Sequence, residues 1–241
     1  MTTLVVGASG ATGKQLVQQL LAMGHKVRII VRSPEKLPKE WNKNDNVSII
    51  KAEVLNISLD EMAGHLKGCD AIASCLGHNL TWKGIYGQPR KLVKDATRLL
   101  CEAHKINMLQ KSIKFVLMNT TGNQNRDLNE HISFGERLVI NILRLLLPPH
   151  ADNEKAADYL RLNIGQMDSS IEWVVVRPDT LINQDKVSKY EIFPSPIRSA
   201  IFNPGKTSRI NVSHFMASLI TDKALWNEWK GQMPVIYNIE S

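Results

Sequence analysis

A glycine-rich turn near the start of the chain is the feature that most constrains the fold. The apolar run at 4–6 breaks into Gly7, Gly10 and Gly13, and a segment with a helical apolar period follows. Glycines between a strand and a helix allow a tight turn, a close approach of the backbone to a ligand and close packing of the helix on the strand. The amino terminus of such a helix also offers free N–H groups and partial positive charge to phosphates. The stretch therefore predicts a dinucleotide-binding turn.

Apolar runs rich in β-branched residues alternate with segments of helical period along the rest of the chain. This alternation predicts βαβ units and a Rossmann-type, doubly wound α/β fold with a mostly parallel sheet and helices on both faces. We expect strands at 3–6, 26–31, 47–50, 70–74, 114–119, 172–177 and 234–239. We expect helices at 11–23, 58–67, 87–106, 133–147, 152–168 and 212–222.

No Gly/Ser-rich or Pro-rich linker and no internal repeat divides the 241 residues. We therefore expect a single NAD(P)-binding Rossmann domain over 1–241, with a small C-terminal region on the substrate side. Loops are predicted at 119–131 and at about 182–209, and the second carries most of the late prolines. Ligands lie outside the carboxyl ends of the strands in doubly wound sheets, so this loop-rich segment is expected to border a substrate site.

Charge and apolar patterning favour a small-molecule partner over nucleic acid or a membrane. The net charge is +7, but the basic residues are scattered and alternate with acids, which is atypical of a nucleic-acid interface. The longest apolar run, 138–149, contains Arg144 and is too short to span a bilayer. No secretory signal is recognised, so a cytoplasmic location is expected.

Cysteine and histidine spacing does not indicate a metal site or a disulfide framework. Cys69, Cys75 and Cys101 form no CxxC pair, and the seven histidines lack the spacing of metal ligands. We therefore expect reduced, mostly buried thiols and no metal.

The end of the second predicted strand distinguishes between two nicotinamide cofactors. NAD-binding folds place an acid there for the ribose 2′-OH, whereas a nearby arginine accommodates a 2′-phosphate. Here the strand ends at Arg32, Lys36 follows, and the first acid is Glu35. A guanidinium can hold a phosphate in a bidentate fork, so the sequence favours NADP(H) over NAD(H). The alternative is that Arg32 and Lys36 are merely solvated.

The order of several motifs resembles one enzyme family over about residues 3 to 240. GASGATGK with VRSPEKL is followed by AEVLN, SCLG, VLMNTTG and VVVRPDTL. This order resembles the atypical and extended short-chain dehydrogenase/reductases, in particular the NAD(P)H-binding group with NmrA-like proteins and flavin/biliverdin-IXβ-type reductases.

The resemblance implies a set of cofactor-binding residues. Those around the pyrophosphate and ribose would be Gly7, Ser9, Gly10, Ala11, Thr12 and Gly13. The resemblance also implies Arg32 at the 2′-phosphate, Glu53 and Val54 beside the adenine, Cys75, Leu76 and Gly77 along the ribose, and Pro178 beside the nicotinamide. The family usually has Asp where Glu53 stands.

The resemblance gives an incomplete catalytic set. The family uses Ser or Thr after the fifth strand, with Tyr and Lys four residues apart on the next long helix. Thr120 or Thr121, of which we favour Thr121, and Lys155 match this pattern, and Lys155 would also hold the ribose, but Ala151 stands where the Tyr is expected. His150 is an alternative proton donor, but we favour its interpretation as a polar residue at a helix start, next to Pro148 and Pro149. Because hydride donation is the cofactor's own chemistry, the missing Tyr does not exclude a reductase.

Two further features leave alternatives open. His78 directly follows Gly77 and is a candidate for contact with the cofactor or the substrate. Leu138, Ile142, Leu145 and Leu146 form an apolar stripe on the predicted helix at 133–147. We expect this stripe to be buried in the chain's own core, with a docking face as the alternative.

Three functions are compatible with these features. The first is an NADP(H)-dependent oxidoreductase that transfers hydride to a small acceptor. The second is an NADP(H)-sensing binding protein without turnover, suggested by Ala151 in place of the proton donor. The third, a nucleotide-sugar epimerase or dehydratase, needs the same Tyr and a larger C-terminal domain, so we rank it last.

Overall fold

The computed structural model describes residues 1–78, 87–107, 111–130 and 132–239. The strands are β1 (Thr2–Val6), β2 (Lys26–Val31), β3 (Val47–Lys51), β4 (Ala71–Ser74), β5 (Ile113–Met118), β6 (Ile171–Pro178), β7 (Thr180–Ile182), β8 (Tyr190–Phe193), β9 (Lys206–Ser208) and β10 (Val235–Asn238). The helices are α1 (Ala11–Ala22), α2 (Leu59–Leu66), α3 (Leu92–Ile106), α4 (Phe134–Leu146), α5 (Pro148–Asp158), α6 (Arg209–Thr221) and α7 (Lys223–Trp229).

An eight-stranded sheet organises the chain in the order β3-β2-β1-β4-β5-β6-β10-β8. Its strand pairs are parallel except at the edge, where β8 runs antiparallel to β10. Strand order reverses at β1, because β2 lies on one side of it and β4 on the other. The carboxyl ends of β1 and β4 therefore border the crevice in which doubly wound folds bind ligands. This architecture confirms the predicted Rossmann-like α/β fold.

The central strands carry apolar side chains on both faces of the sheet, as expected for parallel strands covered by helices. In β6, Trp173 and Val175 enter the core under α2, α3 and α5, whereas Val174 and Val176 enter the core under α1, α6 and α7. This period of two divides one continuous apolar run between two buried layers.

All seven strands predicted from the sequence are present, each with ends within one residue of the expected ones. Three helices differ more, and one of them, α6, begins at Arg209, three residues before the expected start. The prediction of a helix from residue 87 is wrong, because α3 begins at Leu92, after Pro89, which disfavours helical backbone at the residue before it. The prediction of one helix over 152–168 is also wrong, because α5 begins at Pro148, a residue type favoured in a first helical turn, and a π-helical turn occupies Tyr159–Ile164.

The segment at 182–209 has more regular structure than the sequence indicated. It contains β8, which pairs with β10 and extends the sheet, and β9, which pairs with β7. Sequence periodicity misses these strands because they are short and each contains a charged residue, Glu191 in β8 and Lys206 in β9, so neither forms an apolar run.

The apolar stripe of α4 is not buried, so the expectation that it would pack in the core is wrong. Glu136 and Ile140 form the buried side of the helix. Leu138, Ile142, Leu145 and Leu146 lie on the exposed side, and Leu145 retains 83% of its accessible surface. Periodicity identified one face of the helix correctly, but it could not show which face meets the sheet.

None of the helices in the described ranges has the length and hydropathy of a bilayer-spanning segment.

A cluster around Asp168 anchors the start of β6. Asp168 accepts hydrogen bonds from the Ser170 and Ile171 backbone N–H groups and from the Lys105 ammonium at 2.6 Å. Partial burial acts to raise the pKa of Asp168, but the hydrogen bonds from Lys105, Ser170 and Ile171 outweigh it and lower the pKa to about 2. The folded chain therefore favours the ionised carboxylate.

We predict that Asp168→Asn lowers the free energy of unfolding at pH 7 by about 1 kcal/mol or more, because charge-assisted hydrogen bonds are lost. A depressed folded-state pKa stabilises the fold above about pH 4, and this contribution disappears as the pH falls towards 2. Urea unfolding at several pH values measures the difference. Asp45→Asn, at an exposed position, is the control. If the free energies of unfolding of Asp168→Asn and wild type differ equally at pH 7 and pH 2.5, the stabilising role of the ionised Asp168 carboxylate is contradicted.

Candidate cofactor cleft and substrate-side cavities

The glycine turn packs against the carboxyl end of β4 more closely than any side chain would permit. Gly7 has a φ of 80°, and a Cβ built on it would lie 2.4 Å from the carbonyl carbon and oxygen of Cys75. A Cβ on Gly13 would lie 2.2 Å from the carbonyl oxygen of Gly7. Both positions thus require glycine, the first for its backbone conformation and for space, the second for space.

The start of α1 leaves its first N–H groups without a side-chain cap. Gly10 occupies the N-cap position and makes no side-chain cap hydrogen bond. Ser9, Gly10 and Ala11 are exposed, so the turn faces solvent at this point. Thr12 is buried, and its carbonyl accepts a hydrogen bond from Ser213 Oγ at 3.0 Å. Thr12 and Gly13 therefore serve packing, whereas Ser9 and Gly10 border open space.

A cleft runs from the glycine turn to the end of β3, which we call the cofactor cleft. It has a volume of about 160 Å³. The structure brings together here nine residues that the sequence proposed for cofactor binding: Gly7, Ser9, Gly10, Arg32, Glu53, Val54, Cys75, Leu76 and Gly77. Four parallel strands end at this edge, which is why segments far apart in sequence meet.

The far end of the cofactor cleft carries opposite charges. Arg32 Nη1 lies 3.7 Å from Glu53 Oε1, and both side chains remain substantially exposed. At this distance and exposure the pair is weak, so it does not lock the guanidinium. Lys36 is exposed on the following turn and does not line the cleft.

The segment after β4 forms the wall facing the glycine turn. A Cβ on Gly77 would meet no protein atom within 4 Å, so nothing in the described chain requires glycine there. The Cys75 thiol is a poor candidate for chemistry, because burial raises its pKa to about 12.

His78 forms a buried pair with Asp152 rather than facing the cleft. Its Nε2 lies 2.8 Å from Asp152 Oδ2, and both side chains are almost fully buried. Asp152 also accepts hydrogen bonds from the backbone N–H groups of Val93 and Lys94, in the first turn of α3. Asp152 thus caps α3 from another helix and ties it to the segment after β4.

The ends of β5 and β6 meet at the substrate side of the same sheet edge. Thr121 N–H donates to the Pro178 carbonyl at 3.1 Å, which links the two strands. Thr121 is buried and lines two neighbouring cavities, together with Ile140 and Ala200. Pro178 ends β6 and is itself buried, with its register partner Ile236 on β10.

One of these cavities, the His150 cavity, contains most of the predicted catalytic groups. It is lined by Thr120, Thr121, Gly122, Ile140, Leu143, His150, Asp179, Thr180, Ala200 and Ile201. His150 Nε2 is buried, makes no hydrogen bond with the described residues and lies 3.8 Å from Glu154 Oε1, and desolvation lowers the pKa of this histidine. Asp179 follows Pro178, accepts hydrogen bonds from the Gly205 and Thr180 backbone N–H groups, and has a pKa raised by burial.

Lys155 does not join this group. It lies on the exposed side of α5 and lines neither the cofactor cleft nor the His150 cavity. The structure therefore places Thr120, Thr121 and His150 together and leaves Lys155 apart.

A buried ion pair organises the loops around the substrate side. The guanidinium of Arg177, which is fully buried, binds Glu130 through two hydrogen bonds of 2.9 and 2.6 Å. Arg177 also donates to the carbonyls of Met233, Asn123 and Pro194. The sequence gives no indication of this role of Arg177, because a partner 47 residues away leaves no local signal.

We predict that Gly13→Ala lowers the melting temperature of the protein, because its Cβ overlaps the Gly7 carbonyl and the turn must shift. Gly64→Ala in α2 is the matched control. It meets no atom within 4 Å, and alanine is favoured over glycine in a helix by about 0.5–1 kcal/mol. Thermal unfolding followed by circular dichroism compares the two. Equal melting temperatures for Gly13→Ala and wild type would contradict the close packing.

Comparison with known proteins identifies one family. A family described as NAD(P)H-binding matches residues 7–223. No curated protein matches the sequence.

Solved structures share the fold at low identity. The chain is similar to the oxidoreductase ylbE from Lactococcus lactis (18% identity, TM-score 0.69, 100% of this chain and 92% of the other). It is also similar to a short-chain dehydrogenase/reductase from Veillonella parvula in complex with NADP (15%, 0.71, 98% and 94%). A third similar structure is ChuY, an anaerobillin reductase from Escherichia coli O157:H7 (15% identity, TM-score 0.69, 100% of this chain and 98% of the other).

Proposed function

Because the chain belongs to the NAD(P)H-binding family, we propose that it is an NADP(H)-dependent oxidoreductase that transfers hydride to a small acceptor. The observation that carries this proposal is the cofactor cleft, in which residues from four strand ends surround one elongated opening. A cytoplasmic location, an NmrA-like subgroup and a single domain over 1–241 stay predictions from the sequence.

The shape of the turn fits a dinucleotide. Gly7 and Gly13 allow the turn to pack tightly, and Gly10 borders the opening without a side chain. The uncapped N–H groups at the start of α1 suit a pyrophosphate, which the helix dipole also favours. Gly77 borders open space on the opposite wall, where a side chain would narrow the cleft.

Charge at the far end of the cleft supports NADP(H) over NAD(H). Arg32 lines the cleft and holds Glu53 only weakly, so its guanidinium is available to a 2′-phosphate. Glu35, the first acid after β2, is exposed and does not line the cleft. The similar short-chain dehydrogenase/reductase from Veillonella parvula, which is in complex with NADP, is consistent with this preference.

The His150 cavity supplies the groups for the acceptor. The nicotinamide supplies the hydride when the cofactor is bound. We assign Thr121 to orient the acceptor oxygen and Thr120 to support the turn, since Thr120 Oγ1 accepts a hydrogen bond from Gly122 N–H. His150 is the proton donor in this proposal, because it lines the cavity beside Thr121 and Ala151 has no proton to give; its Nε2 is buried 3.8 Å from Glu154 Oε1. Lys155 and Pro178 are assigned to the ribose and nicotinamide from the resemblance alone.

Turnover tests this proposal. Purified full-length protein with NADPH is expected to reduce at least one acceptor among quinones, flavins, carbonyls and enals, followed by the loss of absorbance of NADPH. With that acceptor, Thr121→Val should lower kcat/KM by on the order of 10²-fold, because one oriented hydrogen-bond donor is lost. Thr2→Val, a distant position, is the control. Absence of NADPH oxidation with every acceptor class would overturn the enzymatic function.

The cofactor preference has a separate test. Arg32→Asp should weaken NADPH binding by about 10-fold or more, because one charge-assisted contact is lost and a carboxylate repels the 2′-phosphate. NADH binding should change much less. Isothermal titration with both cofactors measures the two affinities, and Lys223→Asp, an exposed charge reversal on α7, controls for net charge. Unchanged NADPH affinity in Arg32→Asp would refute the role of Arg32.

The main alternative is an NADP(H)-sensing binding protein without turnover. The exposed position of Lys155 outside the His150 cavity favours it, together with Ala151, because two members of the usual catalytic set are then missing. Tight NADPH binding without turnover, combined with a partner affinity that changes on adding NADPH, would support this alternative. The epimerase or dehydratase alternative needs the Tyr that Ala151 replaces.

A further inference from the structure

The second cavity at the substrate side carries an unpaired carboxylate. This cavity, which we call the Glu136 cavity, has a volume of about 220 Å³ and lies beside the His150 cavity. Its lining comprises Thr121, Gln124, Glu130, Ile132, Glu136, Ile140, Pro196, Ile197, Arg198, Ser199 and Ala200. Glu136 retains only 6% of its accessible surface, yet its carboxylate has no hydrogen-bond or ion-pair partner among the described residues.

A helix-capping role does not account for the Glu136 side chain. Glu136 is in the first turn of α4, where the helix dipole favours an acid. Ser133 Oγ accepts a hydrogen bond from the Glu136 backbone N–H, but the reciprocal bond, which the Ser133 N–H would donate to the Glu136 carboxylate, is absent. The carboxylate oxygens are therefore left to the cavity, where water or a ligand must satisfy them.

The other charges of the Glu136 cavity are partly compensated. Glu130 is neutralised by its two hydrogen bonds to Arg177. Arg198 lies over the Tyr237 ring, with its Cζ 5.6 Å from the ring centroid, and interacts electrostatically with Asp179. No hydrogen bond from the Arg198 guanidinium is present in the described part of the chain. Glu136 and Arg198 thus line one cavity without pairing with each other.

We propose that the Glu136 cavity binds a small ligand with two unlike ends, a cationic or hydrogen-bond-donating group on Glu136 and an anionic or accepting group on Arg198. Ile132, Ile140 and Ile197 would enclose an apolar or planar body between them. Because Thr121 lines both cavities, such a ligand would place its reacting part beside Thr121. In that respect the inference rests on the proposed function and gives the class of the acceptor.

Four matched probes test this charge pattern: 4-(aminomethyl)benzoate, 4-methylbenzylamine, 4-methylbenzoate and 4-methylbenzyl alcohol. All four contain a para-substituted benzene ring. In the order given, the first carries both charges, the second a positive charge, the third a negative charge and the fourth no charge. Binding to the full-length protein is measured by isothermal titration, with NADP⁺ and without it. We expect the zwitterion to bind about 10-fold or more tightly than either singly charged probe, since each charge-assisted contact contributes separately.

Two variants identify the residues. In Glu136→Gln, the zwitterion should no longer bind more tightly than 4-methylbenzoate. In Arg198→Gln, the zwitterion should no longer bind more tightly than 4-methylbenzylamine. Glu228→Gln, at an exposed position, should leave the order unchanged. A purely structural role of Glu136 would lower the melting temperature without changing the order of the probes.

Equal binding of all four probes to the wild-type protein would overturn the inference, whether or not the variants fold. An unchanged order in folded Glu136→Gln would do the same. Binding of NADPH is measured in parallel, so that intact NADPH binding with no probe order rejects only this inference. If the probes bind in the expected order of affinity but NADPH does not bind, the proposed function is rejected instead.

Discussion

The contact between the glycine turn and the end of β4 is the constraint on which the candidate site depends. Gly7 approaches the Cys75 carbonyl so closely that a Cβ would lie 2.4 Å from it, and Gly13 sits equally tightly on Gly7. Without these contacts, α1 could not begin directly above the sheet, and its first N–H groups would not face the crevice beside β1. Both walls of the cofactor cleft are thus positioned by backbone packing rather than by side chains.

On the substrate side the corresponding constraint is electrostatic. Arg177 and Glu130 are buried together, and Arg177 reaches backbone carbonyls of three separate segments. Removing one partner of a buried pair costs about 3–5 kcal/mol, because the remaining charge is left without compensation. This pair therefore maintains the positions of the loops that line the Glu136 cavity. Asp152 does the same for the cofactor side, by joining His78 to the start of α3.

Much of the candidate cofactor site could be predicted because its residues follow strands. Arg32, Glu53 and Gly77 come shortly after β2, β3 and β4, and the ends of parallel strands meet at one edge. The charge pairing of Arg32 with Glu53 was not predictable, since it depends on the distance between two neighbouring strand ends. The unpaired carboxylate of Glu136 was also missed, because a glutamate in the first turn of a helix is expected in the sequence for local reasons.

The sequence by itself determined the α/β class, seven of the strands and the glycine turn, because apolar runs rich in β-branched residues and glycine spacing are local properties of the chain. Through its resemblance to a family, it also predicted that Ala151 stands where the usual Tyr is expected. The tertiary structure alone decided which face of α4 is buried, that His150 rather than Lys155 shares a cavity with Thr121, and that the Glu136 carboxylate lines a cavity without a partner among the described residues. These outcomes depend on how helices and loops far apart in sequence pack over the sheet, and local periodicity carries no information about that packing.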